Sequence, residues 1–154
     1  MNRKKLLWIL PVSWMGIIFC FSHQPGSESL EVSSWFAELL RTIANILNIS
    51  SSDIDLSLLV RKGAHLTEFA ILGLLLFIAL YFTREKLLSS SNIAFAIGAT
   101  YGVFDELHQL FIPGRSCQIS DMLIDASGVL LAVMLCSAYV VLRRRLSHKP
   151  NISG

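Results

Sequence analysis

Charge is what this sequence has least of. Asp, Glu, Lys and Arg make up 16% of its 154 residues, against about 25% in ordinary globular domains. The net charge of +2 is too small for a nucleic-acid footprint, and no basic run is interleaved with aromatics. The cluster Arg143-Arg144-Arg145 directly follows an apolar stretch, the place of a cytoplasmic membrane anchor. Nucleic acid is therefore excluded as a partner. Cysteine is scarce too. Cys20, Cys117 and Cys136 form no CxxC pair and no metal spacing, so they read as small hydrophobes, with Cys117 a loop thiol. A Gly-rich Lys-Ser/Thr phosphate loop and an HExxH run are both missing, which removes P-loop nucleotide chemistry and HExxH metalloprotease chemistry. The segment Asp105-Glu106-Leu107-His108 echoes a helicase box, but without the phosphate loop it is not one. Nor does a small-residue cleavage site follow the first apolar run. Ser22-His23-Gln24-Pro25 stands there instead, so that run is expected to be an uncleaved helix rather than a signal peptide.

What the sequence has in excess is apolar surface. Hydrophobic residues reach 53% and the mean hydropathy is +0.59. A soluble fold this small keeps too much surface to hide them; lipid can take them. Four runs approach the roughly 20 residues that cross a bilayer. They predict an all-α, integral membrane four-helix bundle with helices over about 6–22, 64–83, 92–111 and 121–142, in one domain covering 1–146. A cytoplasmic tail is expected over 147–154. Pro11 falls inside the first helix, where a membrane span tolerates it with a kink. Between the first two spans, Val32 to Leu47 places Trp35, Leu39, Ile43, Ile46 and Leu47 at helical spacing. That pattern predicts an extra amphipathic helix on the outer interface. Ser50-Ser51-Ser52-Asp53 reads as a loop and cap.

Lys and Arg set the orientation. With the amino terminus inside, Arg3, Lys4, Lys5, Arg84, Lys86, Arg143, Arg144, Arg145 and Lys149 are cytoplasmic, leaving Arg41, Arg61, Lys62 and Arg115 outside. Among the acids only Glu85 is inside. The expectation is a multi-pass cell-membrane protein with both termini in the cytoplasm.

That topology gathers four polar segments at the outer face: Ser22 to Ser29, Arg61 to Glu68, Asp105 to Arg115, and Ser120 to Asp125. Helical spacing then aligns them. Arg61 and His65 share a face, as do His65 and Glu68, Asp105 and Gln109, Asp105 and His108, and Asp121 and Asp125. These stripes are expected to point inward, because a lipid-facing charge costs about 2.5–3.5 kcal/mol. Pro113-Gly114 makes a turn that folds Arg115 back over the cluster. Ser120 is a candidate cap for the last helix, and Asp121 suits its dipole. The bland alternative is interhelical glue, through ion pairs such as Arg61–Asp105 or Arg115–Asp121. His23 and His148 take the same bland reading, with His148 solvated in a basic tail, and Ser22 and Gln24 either line a site or turn the chain.

Histidines beside carboxylates support general acid–base work. Arg61, Lys62 and Arg115 suit a phosphate or carboxylate. Together they fit an anionic lipid head group, with transfer or hydrolysis at phosphorus as one chemistry. A divalent cation is the one cofactor the residues admit, with ligands drawn from His65, Glu68, Asp105, His108, Asp121 and Asp125.

The sequence resembles the VanZ-like family over nearly its whole length. Four parts carry the resemblance in order: FSHQPGSES at 21–29, RKGAHLTEFAILG at 61–73, DELHQLFIPGRSCQISD at 105–121, and DASG at 125–128. In the last, many relatives have Asp-x-x-x-Asn before a glycine, which this chain lacks. The family motifs fall on Arg61, Lys62, His65, Glu68, Asp105, Glu106, His108, Gln109, Arg115 and Asp121. The resemblance implies a small helical membrane domain of a kind proposed to process lipid head groups, and a relative linked to low-level teicoplanin resistance.

The combined expectation is an intramembrane enzyme working at the outer leaflet on a membrane lipid or lipid-linked envelope precursor. His65, Glu68, Asp105, His108 and Asp121 would be its catalytic residues. Arg61, Lys62, Glu106, Gln109, Arg115, Ser22 and Gln24 would bind the substrate. Alanine at either His65 or His108 is expected to abolish function. Two alternatives stand beside it: a non-catalytic binder of an amphiphilic glycopeptide antibiotic, and a structural subunit that docks through Trp35.

Overall fold

The structure is a computed structural model that describes residues 3–47 and 55–147. Its elements are α1 (Arg3–Leu6), α2 (Ile9–Ser22), α3 (Gly26–Ile46), α4 (Leu56–Arg84), α5 (Leu87–Gln109) and α6 (Ile119–Ser147). There is no strand among the described residues. Four helical segments are long and apolar enough to cross a membrane: Lys4–Ser22, Leu56–Arg84, Leu87–Gln109 and Ile119–Ser147. The all-α membrane bundle expected from the sequence is what forms.

The first span is broken where chemistry requires it. Pro11 offers no N–H to the Leu7 carbonyl four residues back, and its ring crowds that oxygen. The helix gives way at Leu7–Trp8 and restarts at Ile9, so Pro11 sits in a first turn rather than a helix middle.

The other spans run longer than their hydropathy suggests. α4 starts eight residues before position 64 because Asp55 caps it. The Asp55 Oδ1 accepts from the backbone N–H of Ser57 and Leu58, each at 3.1 Å, and from the Ser57 hydroxyl at 2.7 Å. Those bonds favour the charged carboxylate and hold it below its ordinary range. The cap therefore contributes stability above the unfolded-state pKa and loses it as pH falls through the folded one. Asp55→Ala is expected to speed amide hydrogen exchange at Ser57 and Leu58, with little change deeper in α4. The sequence-based cap over 50–53 lies outside the described residues.

α5 starts at Leu87, not near 92, so Ser89-Ser90-Ser91 is part of the helix. Serine is tolerated there because its hydroxyl can donate to a carbonyl one turn back. The Ser91 hydroxyl lies 2.9 Å from the Leu87 carbonyl and 2.9 Å from the Ser137 hydroxyl on α6. Only Glu85 and Lys86 join α4 to α5, with Glu85 in the left-handed region at φ 60°. α6 continues through Ser147, which is therefore helical; the tail beyond it lies outside the described residues.

The core is formed by Ile18, Phe69, Leu72, Leu76, Phe77, Leu80, Ala94, Val129 and Val133. α4 and α6 pack closest. A Cβ placed on Gly128 would strike the Leu66 carbonyl oxygen and come within 3.1 Å of the Ala70 nitrogen, so glycine sets this spacing, as small residues do between membrane helices. Gly128→Ala is expected to cost about 1–3 kcal/mol by overpacking, read as a lower midpoint in detergent unfolding.

α3 begins at Gly26, six residues before the expected start, and packs on α4. Its buried residues are the small Ser33 and Ala37, while Trp35, Leu39, Ile43 and Ile46 are exposed. The apolar face is turned away from the bundle, as an interfacial helix requires. At one end of the bundle Lys4 Nζ lies 3.4 Å from Glu85 Oε1, and Arg144 Nη2 donates to the Tyr81 hydroxyl at 3.1 Å. The ends of α2, α5 and the start of α6 lie at the other end, and the ionisable cluster collects there.

Candidate functional site

Each helix supplies its part of the site through helical spacing. Arg61, His65 and Glu68 follow one another along a single face of α4. On α5, Asp105, Glu106 and Gln109 are all buried, and on α6 Asp121 and Asp125 are buried one turn apart. The loop from 110 to 118 closes the end. Gly114 takes φ 75° there, a conformation that favours glycine, and the Gly26 N–H donates to the Pro113 carbonyl at 3.0 Å. The turn expected at Pro113-Gly114 is present and is pinned to the start of α3.

At the centre, His65 Nδ1 lies 3.1 Å from Asp125 Oδ1, with Asp125 fully buried. Gln109 Nε2 donates to Asp105 Oδ2 at 3.2 Å. The backbone N–H of Gln118 donates to Glu106 Oε2 at 2.9 Å. Three buried oxygens in this group have no hydrogen-bond partner: Glu106 Oε1, Gln109 Oε1 and Asp125 Oδ2. One ligand-type atom from each of His65, Asp105, Glu106 and Asp125 lies within 4.8 Å of the others. Among the described residues, these four are the group that could hold a metal.

Beside this group a cavity of about 290 Å³ opens between α2, α3, α4 and α5. His65, Glu68, Asp105 and Gln109 form its acid–base wall, and Arg61, Arg115, Ser22 and Gln24 also line it. Ile18, Phe21 and Val32 supply an apolar wall. Arg115 is fixed by its guanidinium: Nε donates to the Gln24 carbonyl at 2.9 Å and Nη2 to the Phe21 carbonyl at 3.1 Å. Arg61 is fixed by nothing comparable. Its Nε and Nη2 are buried without a hydrogen-bond partner. Burial, and then the positive charge of Arg61, pushes the Arg115 guanidinium below its ordinary pKa. Two guanidinium groups thus stand close enough to repel each other at one cavity.

Not every residue of the sequence-based site reaches it. His108 does not line the cavity; its Nε2 is 3.3 Å from Nδ1 of His23 and its ring lies 4.6 Å from that of Phe19. The reason is angular. From Asp105, Gln109 lies about 40° round the helix and Glu106 about 100°, whereas His108 lies about 60° the other way. Turning Asp105, Glu106 and Gln109 inward points His108 at α2. Lys62 and Asp121 form an ion pair of 3.5 Å at the margin, in place of the expected Arg61–Asp105 or Arg115–Asp121 pairs. Ser120 lies inside the first turn of α6 and donates to Asp121 Oδ1 at 3.1 Å, rather than capping the helix. Glu68, Asp121 and His108 fall outside the four-residue ligand group, and Glu106 enters it. Asp125 at its centre was legible from its helical spacing to Asp121. The His23–His108 contact had no signal in the sequence beyond two histidines at one end of the bundle.

Residues 7–142 match the model of the family described as VanZ/LLP1. No curated protein matches the chain, and no solved structure does.

Proposed function

The chain belongs to the VanZ/LLP1 family, and from that premise we propose that it acts at the outer leaflet on the anionic head group of a membrane lipid or lipid-linked envelope precursor. One observation carries the reading: Arg61, whose Nε and Nη2 are buried without partners, lines a cavity that Arg115 also lines. A phosphate or carboxylate placed there accepts from Arg61 and relieves the repulsion between the two cations. The apolar wall of Ile18, Phe21 and Val32 suits the acyl or prenyl portion of the same molecule. The excess of Lys and Arg at the opposite end of the bundle supports an outward-facing site.

In this reading His65 carries the proton, with Asp125 fixing its ring and Glu68 and Asp105 flanking the head group. The reaction class is transfer or hydrolysis at the head group. The test is lipid mass spectrometry of cells with and without the gene. A head-group species should change on deletion and return with the wild-type chain but not with Arg61→Ala. If the lipid profile is unchanged while a glycopeptide such as teicoplanin binds the purified protein, the site is an antibiotic binder and the enzyme reading fails.

A further inference from the structure

The inner group of acids holds more carboxylates than the described cations pair with. Asp105, Glu106 and Asp125 are all buried, with only the His65 imidazole among them. Of the nearby cations, Lys62 pairs with Asp121, Arg115 is bonded to two backbone carbonyls, and Arg61 lines the adjoining cavity. Buried carboxylates are stable when they are paired or bind metal. Two of these carboxylates nonetheless hold an oxygen with no partner, Glu106 Oε1 and Asp125 Oδ2, in side chains of zero exposure.

We propose that His65, Asp105, Glu106 and Asp125 form a site for one divalent transition cation. The four ligand-type atoms, all within 4.8 Å of one another, can converge on a single ion with short side-chain adjustments, since metal–oxygen and metal–nitrogen bonds are about 2.0–2.2 Å. Three helices contribute, so the ion would tie α4, α5 and α6 together at the end where the loop from 110 to 118 closes. The donor set selects the ion class. One imidazole with three carboxylates suits Mn²⁺, Fe²⁺ or Zn²⁺; the absence of thiolate disfavours Cu⁺. Ca²⁺ asks for six to eight oxygens, more than this group presents. Existing hydrogen bonds orient the donors from behind: the Gln118 N–H holds Glu106 Oε2 and Gln109 holds Asp105 Oδ2, as outer contacts do around metal ligands. The proton between His65 and Asp125 leaves for solvent when the ion binds. The site adjoins the head-group cavity through His65 and Asp105; ion and proton compete for the same His65 ring nitrogen, so the acid–base role of His65 belongs to the ion-free site, and ion binding does not depend on what the cavity holds.

The test uses the full chain purified in detergent, stripped with a chelator, reloaded with Mn²⁺ or Zn²⁺ and desalted. Elemental analysis should find about one ion per chain. Asp125→Asn and Glu106→Gln should each lower affinity by at least about tenfold, while Asp121→Asn, outside the group on the same helix, keeps the ion. A second readout guards against variants that fail to fold: the stripped wild type should melt at a lower temperature and recover on adding Mn²⁺ or Zn²⁺. The inference is overturned if the wild type retains neither ion and neither ion raises its melting temperature. Equal retention by well-folded Asp125→Asn and Glu106→Gln would overturn it too.

Discussion

Alanine at His65 is expected to remove activity by roughly 10²–10⁴-fold, the range for losing a positioned acid–base group, while alanine at His108 leaves most of it. The sequence places the two histidines on an equal footing; the structure separates them. His65 is buried at the junction of the cavity and the acid group, held at 3.1 Å by Asp125. His108 lies against His23 and Phe19 and lines no wall of the cavity. The measurement is complementation of the lipid change caused by deleting the gene, with membrane levels of each variant compared by immunoblot. Full complementation by His65→Ala would remove the acid–base role, and total loss in a well-inserted His108→Ala would show that the catalytic centre lies elsewhere.

Arg61→Met should move stability and function in opposite directions. The buried Nε and Nη2 of Arg61 have no partner, and an unsatisfied buried donor costs about 1–3 kcal/mol, more when it is charged. Methionine fills similar space without that cost and also relieves the repulsion felt by Arg115. The unliganded variant should therefore melt higher than wild type. Its affinity for an anionic head group should fall by about 2–5 kcal/mol, the usual loss when one partner of a buried charge pair is truncated. Arg61→Lys keeps the charge but not the two-pronged geometry, so it should recover only part of the binding. A lower melting temperature for Arg61→Met would mean that the guanidinium is structural and would remove the observation on which the head-group proposal rests.

The bundle was legible because each span carries a long apolar run, and no soluble fold of this length hides so many. Helix ends were less legible. The start of α4 depends on Asp55, an isolated carboxylate whose capping bonds are visible only once Ser57 and Leu58 are helical. The start of α5 was expected near 92, past the polar Ser89-Ser90-Ser91; these serines are helical, and the Ser91 hydroxyl donates to the Leu87 carbonyl. The site was legible as a neighbourhood, since spacing alone placed Arg61, His65, Asp105, Gln109 and Asp125 on inward stripes. It was not legible as a set of pairs. Which side of α5 faces inward is decided by packing against α6, where Gly102 would place a Cβ 3.0 Å from that of Asp125. That choice buries Glu106 and sends His108 to α2, and the sequence spacing of Asp105 and His108 does not carry it.

The central claim is that the cavity opens on the side of the membrane opposite the chain termini, and thiol labelling tests it most directly. With Cys20, Cys117 and Cys136 replaced by serine, Ser116→Cys puts one exposed thiol beside Arg115 at the cavity end. A membrane-impermeant maleimide added to intact cells should modify it without permeabilisation. Labelling that appears only after the membrane is breached would place the cavity in the cytoplasm and contradict the account.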